Sequence, residues 1–475
     1  MRYLSYTLIA IIAFCNSINA QEKWDLRKIV DYAVANNITV KQLEVQSAIS
    51  GLNYKQSKLS LYPNANFSGS TSFNSGRNQD ASFNLVTQSY LGASLQLQTS
   101  AEIFNWFSKR NAIVASQWQF EAAKANTDKL RNDIALAVAN NYLQILLAKE
   151  QQNVAQVQLK QTQAQLANTR KLVNAGSLPE LNASELEAQE ATDSANLINA
   201  RGTVEQSILA LKANMSMEAD LPFDVAVPPI ELIPIEKISD LQPDAVFALA
   251  VKNLPQQRVN DFKLKAAIKT SESARGSMYP TFSAFGSLGS GYNSKAMSVI
   301  GTSLVNAPIG KVTVGTVDYQ VFPSQPFTNY SYGKTFLFNQ LDQNFRQGIG
   351  LGISVPIFSG GQLRTNYERS KLDIKNAELQ QQADNQKIKQ DIYQAYNSAT
   401  VALEKYNASQ KSVAASQRTY DFAQKRYGVG MLGTFELITQ QNNLFRAKLQ
   451  DVLNQYDYVF KMKVLEFYRG LGIKL

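Results

Sequence analysis

Residues 130–176 read LRNDIALAVANNYLQILLAKEQQNVAQVQLKQTQAQLANTRKLVNAG. Apolar side chains recur there at helical spacing, at Leu130, Ile134 and Ala137 and again at Leu143, Leu147 and Val154. The pattern extends upstream, and neither proline nor glycine occurs between Phe104 and Ala175. It predicts one helix from Lys109 to Ala175, about 67 residues long and roughly 100 Å at 1.5 Å per residue. That rod is too long for an ordinary core, where helices average about 11 residues. A second such stretch runs from Phe358 to Val429, broken only by Gly360, Gly361 and Gly428 near its ends, and closes on Gly430. The two starts, 104 and 358, and the two closing glycines, 176 and 430, are both separated by 254 positions.

The composition narrows the function. Charged residues make up 18% of the 475, below the usual figure of about 25%, and Gln, Asn, Ser and Thr supply the remaining polarity. Such surfaces are wet but mostly neutral. The net charge is +9, yet Lys and Arg are scattered singly, with no basic block interleaved with aromatics, so nucleic acid is not an expected partner. The chain has no histidine and one cysteine, Cys15. A His-based metal site, a Ser-His-Asp triad and an internal disulfide are therefore excluded. No carboxylates pair in an inferable pocket, and Gly348-Ile349-Gly350-Leu351-Gly352 is the alternating face of a strand rather than a phosphate loop. No catalytic residue, cofactor or metal is expected.

Residues 1–20 read as a secretory signal, with Arg2 as the positive start, Leu8 to Phe14 as the apolar middle and a small residue, Ala20, before Gln21. Lipidation at Cys15 is the alternative, disfavoured by the bulky Phe14. After Ala20 no apolar run approaches the roughly 18 residues of a transmembrane helix. Residence in a membrane would have to rest on strands.

Trp24 to about Ser60 reads as one helix, capped by Asp25 and stopped by Tyr62-Pro63. The period then becomes two. Ala65, Phe67, Gly69, Thr71 and Phe73 alternate with Asn and Ser, a polar tip covers Asn74 to Asp80, and Leu91, Ala93, Leu95 and Leu97 alternate with Gly, Ser and Gln. These are two strands of about ten residues with opposite-character faces. After the long rod, Gly176-Ser177-Leu178-Pro179 turns the chain into a second helix, Leu181 to Asn214. A proline-rich linker follows from Pro222 to Pro243, with Pro228, Pro229 and Pro234 between. From there the programme restarts: a helix at Ala245 to Asn253, Tyr279-Pro280, a strand from Phe282, a returning strand with Ile349, Leu351, Ile353 and Val355 on one face, and the second rod. The separation of matching landmarks grows from 217 to 254, so the second hairpin carries 37 extra residues, roughly within Tyr292 to Asp342, which read as a long outer loop. The domain reading is a leader (1–20), a first structural repeat (21–215; hairpin 65–101, tip near 176), a linker (216–243) and a second repeat (244–475; hairpin 281–355, tip near 430).

No segment is left to cover the apolar faces of the hairpins. Lipid supplies the missing partner, so Leu91, Leu95, Leu97, Ile349, Leu351, Ile353 and Val355 read as a barrel's lipid face. Four strands cannot close a barrel, for which about eight is the working minimum, and an open edge in lipid is forbidden. Several copies must share one barrel. The rods carry narrow apolar stripes, such as Ile388, Ile392, Ala395, Ala399, Leu403 and Tyr406, which suits helices laid side by side around a hollow. A solid coiled-coil stalk is the plainer alternative, but strict heptads are missing.

The layout resembles the TolC-type outer-membrane efflux channels over about Trp24 to Gly472. The resemblance is carried by Tyr62-Pro63 and Tyr279-Pro280 before strands, Val355-Pro356-Ile357-Phe358 before a rod, Arg426-Tyr427-Gly428-Val429-Gly430 at a rod end, and the following Glu436-Leu437-Ile438 and Gln440-Gln441-Asn442-Asn443-Leu444. It implies an α+β membrane protein with an internal two-fold repeat. Its homotrimer would share one transmembrane β-barrel, four strands per chain, continued by a long α-helical periplasmic barrel. Its partners would be outer-membrane lipid, a periplasmic adaptor protein and an inner-membrane pump of resistance-nodulation-division or ABC type. Its role would be a passive exit duct for efflux or type I secretion. The tips, with Gly176, Leu178, Gly430 and Leu432, would meet the adaptor. At the periplasmic entrance Tyr427 matches the family's gate tyrosine and Glu436 an acidic ring position. Asn182 matches a gate acid but is uncharged, Leu432 replaces a gate arginine, and Thr439 replaces a second aspartate. A trimeric surface adhesin or stalk without a conduit is the reading from another class, disfavoured by two hairpins per chain.

Overall fold

The computed structural model describes residues 23–79, 84–228 and 233–470. The expected leader with Cys15, the tip residue Asp80, Pro229 and Gly472 lie outside the described residues. In chain order the first elements are α1 (Leu26–Asn36), α2 (Ile38–Leu59), β1 (Asn64–Gln79), β2 (Leu85–Phe104), α3 (Ser108–Asn174) and α4 (Glu180–Met215). Then come α5 (Pro243–Asn253), α6 (Pro255–Gly276), β3 (Thr281–Asn293), β4 (Met297–Val305), β5 (Gly310–Val314), β6 (Val317–Val321) and β7 (Phe327–Lys334). The last are α7 (Leu337–Gln343), β8 (Arg346–Ser354), α8 (Gln362–Gly428) and α9 (Thr434–Phe467). Two compact units divide the chain: one holds the described residues up to Tyr54, Ala115–Ile268 and those from Leu372 on, the other Lys55–Val114 and Lys269–Lys371.

The second unit contains an antiparallel sheet in the order β1-β2-β3-β8. Its register puts Phe67 opposite Leu97, Leu97 opposite Leu288, Ala284 opposite Leu351 and Phe282 opposite Ile353. Facing residues in an antiparallel pair share a side of the sheet, so the apolar sets of all four strands fall on one face. Ser, Asn, Gln and Gly fill the other. Ile349 is 93% exposed and Leu351 80%; nothing among the described residues covers this face. Leu91, Leu95, Leu97, Ile353 and Val355 are exposed as well. On the opposite face the Phe285 ring lies over Gly350, where an added Cβ would meet Phe285 Cζ at 2.5 Å.

Three expectations need correction here. The first two strands have 16 and 20 residues, not about ten. The supposed polar tip from Asn74 continues the ladder, with Asn74 opposite Tyr90 and Gln79 opposite Leu85, because backbone pairing holds a polar strand as well as an apolar one. Residues 292–342 are not a loop. β4 pairs with β7, β5 with β6, and α7 follows; the β-branched and aromatic residues of this insert suit strands.

The single helix expected from Trp24 to Ser60 is two. Asp25 caps α1 by accepting from the Lys28 N–H at 2.8 Å. Asn37 then leaves the helical region (φ −58°, ψ 126°). Its Oδ1 accepts from the N–H groups of Thr39 and Val40 at 2.9 and 3.2 Å, and its Nδ2 donates to the Asn214 carbonyl at 2.8 Å. A capping side chain with a tertiary bond outweighs the weak propensity that would continue the helix.

In the helical unit α3 and α8 have 67 residues each and keep the separation of 254 at both ends, 108 to 362 and 174 to 428. One core joins Ile29 and Ala33 of α1, Ile145 and Leu146 of α3, and Leu211 and Met215 of α4. Another joins Val246 and Ala250 of α5, Ile388, Ile392 and Ala399 of α8, and Met462 and Leu465 of α9, with Ala395 packed against it. The proline-rich segment contains one short helical turn, Ile238–Asp240. It is a strap rather than a free linker: Val225 and Ile233 enter the first core and Leu241 the second. Among the described residues, no helix is long and apolar enough to cross a membrane.

Tyr142 of α3 is buried in the first core and donates to the Ala226 carbonyl at 2.7 Å. Burial, helped by the charge of Asp25, pushes its phenol from 10 up to about 12. Between those values the unfolded chain releases the proton and the folded one holds it, so stability falls as pH rises through the window. Denaturant midpoints measured from below pH 10 to pH 12 should show this slope, and Tyr142→Phe should flatten it while costing about 1 kcal/mol at neutral pH. Parallel curves for the two proteins would contradict the role given to burial.

Candidate functional site

Both long helices end in the same local structure. Gly176 (φ +71°) donates its N–H to the Val173 carbonyl, and Ser177 donates to Leu172. Gly430 (φ +75°) donates to Tyr427, and Met431 donates to Arg426. These are two Schellman caps, which need a residue at positive φ just past the helix, and glycine adopts it without a Cβ penalty. The returning helices α4 and α9 start four residues later, at Glu180 and Thr434.

Behind the tips a polar seam joins four helices. The Tyr427 hydroxyl of α8 lies 3.1 Å from Thr169 Oγ1 of α3 and 3.4 Å from Thr434 Oγ1 of α9. Two turns deeper, Gln161 of α3 donates to the Tyr420 hydroxyl, whose phenol burial pushes up. Gln441 Nε2 of α9 donates to Thr162 Oγ1 at 2.9 Å, and that hydroxyl donates to Asp193 Oδ2 of α4 at 2.7 Å. Gln189 Nε2 donates to Asp193 Oδ1 at 2.8 Å, and Gln189 exchanges amide bonds with Asn442. Thr162, Thr169, Asp193, Thr434 and Gln441 are all buried. Small apolar clusters flank the seam: Tyr420, Ala423, Leu437 and Leu444 on one side, and Leu166, Ala183 and Leu186 on the other. Gln158 Nε2, Gln165 Oε1 and Gln441 Oε1 are buried without a hydrogen-bond partner among the described residues. A seam left partly unsatisfied holds its helices less firmly than a fully bonded one.

Of the expected gate residues, Tyr427 sits in this seam. Glu436 and Asn182 do not join it. Each is the third residue of its returning helix, Glu436 exposed in α9 and Asn182 half-buried in α4, and neither side chain makes an ion pair or hydrogen bond among the described residues. Glu436 lies in the first turn of α9, where the helix dipole favours a carboxylate. Leu432 is half-buried against the Tyr420 cluster, and Leu178 is half-buried too. The large apolar side chains most open at the tips are Leu181, Val429, Met431 and Phe435. The sequence reading missed Thr162, Asp193 and Gln441. Their signal was a spacing: Gln158, Thr162, Leu166 and Thr169 are all buried along one stripe of α3, so a polar residue on a seam position was the clue.

Asp193 accepts from two side chains in a buried place, so truncation strands both donors. Asp193→Ala should lower the unfolding free energy of the helical unit by about 2–3 kcal/mol, and Asp193→Asn, which keeps an acceptor oxygen, by less. Equal losses in denaturation curves of the two variants would assign the effect to the lost charge instead.

Comparison with known proteins places this geometry. The model of the family described as outer membrane efflux protein matches residues 29–215 and 248–468. The outer membrane protein TolC of Salmonella enteritidis is 24% identical over 144 residues, 30% of this chain and 29% of that protein. In that match the chain spans under a third of the relative's length. The outer membrane efflux protein BepC of Brucella suis is 22% identical over 369 residues, 76% of this chain and 69% of that protein. Among solved structures, that of CusC, described in terms of folding and transmembrane channel formation, superposes with a TM-score of 0.74 at 16% identity, covering 94% of this chain and 92% of that one. The fold is shared with CusC, and with residues 29–215 and 248–468 both matched by the family model, the chain belongs to the outer membrane efflux protein family and is a protein of the outer membrane.

Proposed function

We propose that three copies of this chain close one twelve-stranded barrel in the outer membrane and line one helical tunnel in the periplasm. The assembly is a passive exit duct. An inner-membrane pump, of resistance-nodulation-division or ABC type, drives substrate into it through a periplasmic adaptor. The observation that carries this reading is the β1-β2-β3-β8 sheet, with every apolar set on one uncovered face and two open edges. In lipid each unpaired backbone group costs several kcal/mol. Four strands are too few to close on themselves, and sharing the barrel among copies removes the edges. Two 67-residue helices at constant separation support an internal repeat, each half giving one hairpin to the barrel and one helical hairpin to the tunnel.

At the tunnel entrance, Tyr427 and its seam hold the helices together, and Glu436 supplies a ring of carboxylates that attracts cations. Asn182 contributes a polar but uncharged ring. The tips at Gly176 and Gly430, with Leu178 and Leu432 beside them, meet the adaptor. No catalytic step is part of this function.

The purified protein should migrate as an SDS-resistant trimer and give steady conductance in planar bilayers. Absence of conductance by the intact oligomer would overturn the duct. Glu436→Gln should lower cation preference in single-channel recordings, and unchanged selectivity would remove Glu436 from the pore.

A further inference from the structure

The two edges of the sheet are unequal. β1 has 16 residues and β8 has 9. The β3–β8 ladder stops at Gly289 opposite Arg346, although β3 runs on to Asn293. The chain fills the rest of that edge with α7. Asn344, just past α7, donates from Nδ2 to the Gly291 carbonyl at 2.7 Å. Gln340 of α7 accepts from the Asn293 N–H at 2.8 Å and donates to the Asn293 and Thr335 carbonyls at 2.9 and 2.8 Å. Ser290 Oγ donates to the Leu341 carbonyl at 2.6 Å. These side chains supply the ladder bonds that a longer β8 would have made. The short helix therefore stands in the edge position itself.

The face of α7 turned away from Gln340 has no partner among the described residues. At helical spacing it carries Phe338 and Asp342, with Phe345 following. Phe338 is 82% exposed and Phe345 is exposed as well. At the other edge, with the helix-proximal ends Asn64 and Ser354 brought level, β1 overhangs β8 by the difference of 16 and 9 residues, from about Phe73 to Gln79. The apolar face of that overhang presents Phe73, then Arg77 four residues on. Neither Arg77 nor Asp342 has an ion-pair partner among the described residues.

We infer that the free face of α7 docks on the outer half of β1 of a second copy. Phe345, next to the start of β8, packs on Phe73 of that copy, Asp342 faces its Arg77, and Phe338 lies beyond. This rests on the reading that β8 and β1 meet between copies, and it adds a second, non-ladder contact to that seam. Apolar matches apolar and acid matches base in the same order along both edges. Such an exposed ion pair fixes register more than it stabilises. The helix also covers the stretch of β1 that has no strand to pair with.

The test uses Arg77→Cys with Asp342→Cys in a Cys15→Ser background, which contains no other cysteine. The detergent-purified protein is weighed by light scattering and then treated with a short bismaleimide. A trimer that becomes covalent in the double variant, while each single variant runs as a monomer in SDS after boiling, is the expected result. A trimer by mass that stays uncrosslinked overturns the α7 contact and leaves the shared barrel standing. A monomer by mass overturns both. Arg77→Asp should lower the temperature at which the oligomer dissociates in SDS, and adding Asp342→Arg should restore it; a double exchange that fails to restore it overturns the ion pair.

Discussion

A strand at the edge of a sheet carries a row of N–H and C=O groups with nothing to bond. In water such a row is tolerated, but in hydrocarbon each group costs several kcal/mol. The sheet of this chain has an uncovered apolar face and edges at β1 and β8. Those two facts suit the proposed surroundings, lipid on the face and other strands on the edges. Membership of the outer membrane efflux protein family agrees with the first. The proposed trimer supplies the second. The uneven edges carry this further, since α7 already does for β3 what another strand would have done.

The helical unit obeys a different rule. A helix beside a water-filled space can hide only narrow lateral stripes. Near the tips those stripes are filled by Thr, Gln, Tyr and one Asp, bonded side chain to side chain across α3, α4, α8 and α9. Deeper in the unit the stripes are apolar, with Ile145, Leu146 and Ile392 fully buried. A purely apolar seam would lock the tips. A bonded seam with three partnerless amide atoms can exchange partners at lower cost. That property would suit the gate proposed at this end.

Much of this was legible in the sequence because long regular elements write clear periods. Both 67-residue helices, the tip glycines and the four alternating faces follow from spacing alone. What was missed turns on tertiary bonds that spacing does not encode. Asn37 looked like an ordinary helix residue until its bond to Asn214 was seen. Residues 74–79 looked like a loop tip because they are polar, yet they pair along the whole ladder. The insert at 292–342 was read as a loop from its Gly, Ser and Thr, and its Val, Tyr and Phe turn out to lie in paired strands. At the tips Tyr427 was found by resemblance, whereas Thr162 and Asp193 were not singled out and Gln441 was met only within a motif, without its bond to Thr162. Leu432, read as an exposed tip contact, is half-buried against its own core.

The central claim is that the edges of this sheet are paired by strands of other copies. Hydrogen exchange of the detergent-purified particle, read by mass spectrometry over Asn64–Ser72, the part of β1 that β8 can reach, and over Arg346–Ser354, addresses it directly. Closure between copies predicts that the amides of Asn64–Ser72 and of β8 exchange as slowly as those of β2 and β3. Rapid exchange of alternate amides along Asn64–Ser72 and β8, with β2 and β3 still protected, would mean the sheet stays open and the account is wrong.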